Sequence, residues 1–184
     1  MSAAARPNHV ALLRGINVGT AKRVAMADLR SWLGELGYEG IQTLLNSGNA
    51  VFKATGRTAP ASHAQRIKSL LALHLGFDVP VIVKPARAIA ATVTNHPLAA
   101  VAHNDSRLML SFTQDDATLN ELAPLARQSW GPEQLALTPH AAWMWCPEGI
   151  IDSPLAKACT KCLSDRVTTR NWATMKKIHT LLHP

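Results

Sequence analysis

The sequence predicts an α+β protein made of two ferredoxin-like (βαββαβ) halves followed by a C-terminal helix. Three observations carry that expectation. Of the 184 residues, 47% are hydrophobic and 17% charged, a balance that favours a packed core over a disordered chain. Short apolar runs alternate with segments of helical periodicity in the order β-α-β-β-α-β up to about Val83, which is the split βαβ arrangement. The second half repeats this order without visible sequence identity. A single mixed domain is the alternative topology.

In the first half, Val10 to Ile16 reads as a strand. Leu29, Trp32, Leu33 and Leu36 recur at i, i+3, i+4, i+7 and make Met26 to Leu36 an amphipathic helix closed by Gly37. Ile41 to Leu45 and Ala50 to Lys53 are strands of a hairpin turned at Asn46-Ser47-Gly48-Asn49. Thr55 to Ser62 reads as a loop, Ala64 to Leu75 as a helix stopped by Gly76, and Val79 to Val83 as a strand. Pro85 to His96 reads as a connecting helix ended by Pro97.

In the second half, strands are expected at Arg107 to Phe112, Gln134 to Thr138, Ala142 to Cys146 and Arg166 to Thr169, and a helix at Thr118 to Gln128. Ser153 can N-cap a helix that has Pro154 at its first position and runs to Cys162. Trp172 to Leu182 forms the last helix, with Asn171 as a candidate cap. The expected division is 8–84 and 105–184 for the two halves, with 85–104 connecting them.

Net charge is +7, and it is unevenly placed: residues 1–90 hold eleven basic and four acidic groups, residues 91–184 eight of each. A basic half attracts phosphates, nucleic acid or an anionic surface. A charge of this size also serves plain solubility. No apolar run reaches the ~18 residues of a membrane span. Met1 to His9 does not read as a secretory signal peptide. The expectation is a cytoplasmic protein with no membrane partner.

Cys146, Cys159 and Cys162 are expected to be reduced thiols. Cys159-x-x-Cys162 with His179 and His183 imitates a Cys2His2 zinc pattern. Sixteen residues separate Cys162 from His179, where a finger has about 12, and the two cysteines fall on an expected helix. No metal and no cofactor are therefore expected.

In a βαββαβ unit the end of the first strand and the hairpin lie at the same edge of the sheet. Here those segments are Arg14-Gly15-Ile16-Asn17-Val18-Gly19 and Asn46-Ser47-Gly48-Asn49, the densest collection of Gly, Asn and Arg in the chain. Turns of this composition approach a ligand closely and present N–H groups to an anion. Arg14 adds a guanidinium, with Lys22 and Arg23 just beyond. Arg14, Asn17, Asn46, Ser47 and Asn49 are the candidate ligand-binding residues. Thr169, Arg170 and Asn171, which precede the last helix, are a second candidate group. Hairpins and strand ends also select Asn and Gly for purely structural reasons.

Other chemistries find less support. The first strand has no aromatic residue for the base stacking of an RNA-recognition motif. There is no phosphate-binding G-x-x-x-x-G-K-[ST], the glycines at 15–19 lack the full dinucleotide spacing, and Ser47 is not in a hydrolase elbow. His9, His63, His103 and His140 fall in loops or at element ends with no readable partner, so no reaction is assigned.

The blocks Leu12-Leu13-Arg14-Gly15-Ile16-Asn17-Val18-Gly19, Met26-Ala27-Asp28-Leu29-Arg30, Asn46-Ser47-Gly48-Asn49-Ala50-Val51-Phe52 and Thr168-Thr169-Arg170-Asn171-Trp172 resemble the signature of a bacterial family catalogued as domain of unknown function 1697. The likeness runs from about Val10 to Leu181. The chain departs from the pattern at Thr20, where the family usually has Gly, at Ala25, where it has Pro, and around Ser153, where a basic residue is common. The resemblance implies an α+β fold and no particular activity.

Four readings follow: binding of a small phosphate- or carboxylate-bearing ligand at the polar edge, nucleic-acid binding by the basic half, an enzyme of unassigned reaction, or an interaction protein pairing through open sheet edges.

Overall fold

A computed structural model describes residues 7–19 and 22–183. Most of the stretch read against a signal peptide, residues 1–6, and Thr20 fall outside the described residues. The chain is mixed α and β, with two four-stranded antiparallel sheets. It divides into two compact units, Met1–Arg87 with Lys177–Pro184, and Ala88–Lys176.

The first unit runs β1 (His9–Leu13), α1 (Met26–Glu35), β2 (Glu39–Leu44), β3 (Asn49–Lys53), α2 (Pro60–Leu75) and β4 (Val81–Pro85). Its strands lie in the order β2-β3-β1-β4. Alternation along the strands sends Ala11, Leu13, Ala50, Phe52 and Val83 into one core with Leu29 and Leu33 of α1 and Ala64, Ile67 and Leu71 of α2. The helical residues are one turn apart, so each helix buries a single stripe.

Two boundaries differ from the sequence reading by three residues or more, the others by one or two. The first strand stops at Leu13 rather than Ile16, because Gly15 (φ 70°) and Asn17 (φ 55°) turn the chain into the left-handed region. The second helix begins at Pro60, four residues before Ala64. A proline fits there because the first turn needs no amide donor.

The second unit contains α3 (Ala86–Thr94, begun in the first), β5 (Leu108–Thr113), α4 (Ala123–Ala126), β6 (Gln134–Leu137), β7 (Ala142–Trp145), α5 (Pro154–Leu163) and β8 (Val167–Asn171), and α6 (Trp172–Leu182) leaves it. The strand order is β6-β7-β5-β8. Met109, Met144, Leu155, Cys159 and Leu163 share its core with Leu119 and Leu122. Trp143 is fully buried, tilted against Trp172 and stacked on His96.

The expected helix Thr118–Gln128 is instead a 3-10 helix, Asp116–Leu122, followed by the short α4. Pro124 explains the change. It cannot donate to the Asn120 carbonyl four residues back, and the Ala123 amide takes that carbonyl in the tighter 3-10 pattern. Asp115 caps the segment by accepting from the Ala117 amide at 3.0 Å.

Gly48 is packed tightly against Leu13 and Ile16. The Leu13 amide donates to the Gly48 carbonyl at 2.8 Å. Gly48 has φ 81°, and a Cβ there would stand 2.7 Å from Leu13 Cβ and 2.8 Å from Ile16 Cδ1. Gly48→Ala therefore adds a steric clash to an unfavourable backbone conformation, and is expected to cost about 2–4 kcal/mol. Gly56→Ala, at φ 84° with open space around it, is expected to cost about 1 kcal/mol. Urea denaturation of the two variants measures the difference.

Candidate functional site

β1 and β3 are antiparallel neighbours with Leu12 opposite Asn49. Their register brings the loop after β1 to the β2–β3 turn. The Arg14 amide donates to the Pro80 carbonyl at 2.9 Å, so β4 also begins at this end of the sheet.

Asn17 organises the loop. Its Oδ1 accepts from the Val24 amide at 2.9 Å, while its Nδ2 donates to the Val24 carbonyl at 2.9 Å and to the Asn46 carbonyl at 2.7 Å. The Asn17 amide also donates to the Lys22 carbonyl at 3.0 Å. One carboxamide thus closes the loop on itself and ties it to the hairpin, with both donor hydrogens engaged. Asn49 plays the matching part inside the turn. It is buried, and its Nδ2 donates to the Leu44 carbonyl at 2.9 Å and to Ser47 Oγ at 3.0 Å. Asn17 and Asn49 are therefore builders of this end.

Asn46, Ser47, Lys22 and Arg23 are exposed and Arg14 is half-buried. Lys22 Nζ lies 5.7 Å from the Phe77 ring centroid, a cation–π contact that fixes one side of the loop. Residues 14–24 and 46–49 contain three cationic side chains and no carboxylate.

The second candidate group lies in the other unit. Thr169 Oγ1 is 2.7 Å from Ser111 Oγ across the β5–β8 pair. Arg170 is buried, and its Nη1 donates to Thr168 Oγ1 and to the Thr169 carbonyl, both at 2.9 Å. Burial lowers its pKa to about 10. Asn171 caps α6 by accepting from the Thr174 amide at 2.9 Å. The start of α5 is already filled by the chain's own groups: Ser153 Oγ accepts from the Ala156 amide at 2.9 Å, and the Glu133 carboxylate from the Leu155 amide at 3.0 Å. That carboxylate supplies the negative charge a helix N-terminus favours.

The cysteines are free thiols. Cys159 lies inside the α5 core, where burial pushes its pKa up to about 12. Among the described residues no group of three or more His, Cys, Asp or Glu is placed to hold a metal ion, and no helix is long and apolar enough to cross a membrane.

At the opposite end of the first sheet sits a cluster that sequence reading passed over. His63, assigned to an element end without a partner, lies within α2, is buried, and its Nδ1 is 2.8 Å from the Tyr38 hydroxyl. Its ring meets the His9 and Phe52 rings edge-on, at 5.0 and 6.0 Å between centroids. His9 Nδ1 is 2.7 Å from Asn8 Oδ1. Asn8 is locked in orientation because Oδ1 accepts from the Ala54 amide and Nδ2 donates to the Ala54 carbonyl. His9 Nδ1 therefore carries the proton. Burial, His63 and Arg87 together lower the His9 pKa to about 4, and burial and Arg66 lower that of His63. The Tyr38–His63 and Asn8–Ala54 contacts join residues 25 and 46 apart in sequence, so only the fold reveals them.

The family described as "Protein of unknown function (DUF1697)" matches residues 7–143. A solved structure of a conserved bacterial protein from Streptococcus pneumoniae is similar, at 25% identity and TM-score 0.79 over 97% of this chain and 99% of that one. No curated protein matches the chain.

The histidine pKa values fix a sign for pH dependence. In the unfolded chain His9 and His63 take up protons near pH 6.5, but in the fold they resist protonation. The His9 contribution is complete above about 6.5 and is lost as pH falls toward about 4, and the His63 contribution weakens in the same direction. Urea midpoints measured from pH 7.5 to 4.5 are expected to fall with acidity, and to fall less in His9→Gln.

Proposed function

We propose that this chain, which belongs to the family of proteins of unknown function DUF1697, binds a small phosphate- or carboxylate-bearing molecule at the polar end of its first sheet. The observation that carries this reading is the loop of residues 14–24, held against the hairpin by Asn17, in which Arg14, Lys22 and Arg23 stand without any acidic side chain in either segment. Such an arrangement concentrates positive potential at a surface whose polar groups are already in place. Groups already held by hydrogen bonds lower the ordering cost of binding.

Arg14, Asn46 and Ser47 are the expected contacts, with Lys22 and Arg23 as flanking charge. Asn17 and Asn49 hold the geometry and do not reach the ligand. Thr169, Arg170 and Asn171 are left out of the contact set because they serve β8 and the α6 cap. In the same reading each unit is ferredoxin-like: the βαββαβ element order and the strand orders β2-β3-β1-β4 and β6-β7-β5-β8 support it. The free thiols support a cytoplasmic setting.

The test is calorimetric titration with ATP and with citrate, as phosphate and carboxylate probes, beside fluorescence anisotropy with labelled single-stranded RNA at low and physiological salt. Binding of one small anion that weakens at least about tenfold in Arg14→Ala, or roughly 1.4 kcal/mol, is the expected result. Equal affinity in the wild type and in Arg14→Ala/Lys22→Ala overturns the proposal. RNA binding that falls steeply with salt, without small-anion binding, replaces it with nucleic-acid recognition.

A further inference from the structure

Asn8, His9, Arg57, Thr58, Pro60 and Arg87 line a cavity of about 660 Å³ in the first unit. It lies at the beginning of β1, whereas the loop of residues 14–24 follows the end of that strand. Four residue steps separate His9 from Leu13, roughly 13 Å along the strand, which exceeds the screening length of about 8 Å at physiological salt. Exposed charges at the two ends are largely screened from one another.

The lining contains two arginines and no carboxylate. Neither Arg57 nor Arg87 is engaged by an acid or a carbonyl among the described residues. Two unpaired guanidiniums on one concave surface repel each other, and that cost is relieved by an anion between them. Guanidinium forks match phosphate oxygens in geometry, and two of them match a dianion in charge. Thr58 adds a hydroxyl donor. The volume lies within the ~300–1,000 Å³ usual for small-molecule sites, so it admits the organic group of an ester as well as the phosphate.

The His9 ring is part of the cavity lining. It is held by the Nδ1 hydrogen bond to Asn8 and is stacked on Phe52 at 5.6 Å between centroids. Asn8 in turn fixes the entrance: its amide donates to the Phe52 carbonyl and its own carbonyl accepts from the Ala86 amide at 2.8 Å. The chain entering β1, the end of β3 and the start of α3 are thus tied to one residue. The cavity wall is built into the sheet.

We infer that this cavity is a second ligand site, distinct from the polar end of the sheet, and that it takes a small-molecule phosphate monoester whose phosphate is clamped by Arg57 and Arg87 against the His9 wall.

The experiment uses the full chain and follows the His9 imidazole C–H resonance by NMR, assigned by its loss in His9→Asn, during titration with inorganic phosphate, AMP and adenosine. Phosphate and AMP are expected to shift the resonance saturably and adenosine to leave it in place. Arg57→Gln and Arg87→Gln each weaken AMP at least tenfold, while Arg14→Ala changes it less than twofold. Both arginine side chains are exposed, so unchanged far-ultraviolet dichroism and an unchanged urea midpoint are expected and separate lost binding from lost folding. No saturable shift with either phosphate probe, or AMP affinity unchanged in Arg57→Gln/Arg87→Gln, overturns the inference. Loss of AMP binding in Arg14→Ala alone places the phosphate at the other end of the sheet and overturns it as well.

Discussion

Leu13 and Gly48 meet so closely that nothing larger than hydrogen fits between them. This approach sets the register of β1 against β3, and it also decides where the chain can go after Leu13. The backbone turns at Gly15 and Asn17 through the left-handed region, and the Asn17 carboxamide then holds Val24 and Asn46 at once. The return of residues 14–24 to the entrance of α1 therefore hangs on one close contact and one amide. With a side chain at Gly48 the hairpin moves away from Leu13, and the Asn46 carbonyl moves away from Asn17.

That geometry also decides what the surface can do. The basic excess of the first half is not spread evenly around its sheet. Arg14, Lys22 and Arg23 stand with the loop at one end, and Arg57 and Arg87 line the cavity at the other. Of the exposed carboxylates of this unit, Glu35 pairs with His74 at 3.1 Å. The second unit differs in kind. There the start of α5 is capped by Ser153 and Glu133, and Arg166 is paired with Glu121 at 2.7 Å.

Much of this fold is legible in the sequence where the signal is local. The stripe Leu29 and Leu33, the Ser153-Pro154 helix start, and Asn171 before Trp172 each act within one or two turns, and each is found where its residues indicate. The 3-10 segment is less legible, because Leu119 and Leu122 satisfy helical spacing while Pro124 removes the donor that an α-helix needs. At the candidate site, topology alone brings residues 14–19 to the 46–49 turn. It does not show that Asn17 and Asn49 turn their amides inward, since that depends on loop torsions with no periodic signature. The Tyr38–His63 bond and the shared cavity of Arg57 and Arg87 join residues 25 and 30 positions apart. Neither pairing has a spacing to read.

The dependence of the loop on Asn17 is open to direct measurement through amide hydrogen exchange. The Val24 amide has the Asn17 side chain as its acceptor, whereas the Leu13 amide is held by the Gly48 carbonyl. If the account holds, Val24 is protected in the wild type, and Asn17→Ala releases it by at least about tenfold while the Leu29 amide in α1 keeps its protection. Equal Val24 exchange in the two proteins, or a wild-type Val24 amide as fast as an unstructured peptide, would contradict the claim that one carboxamide holds this end of the sheet together.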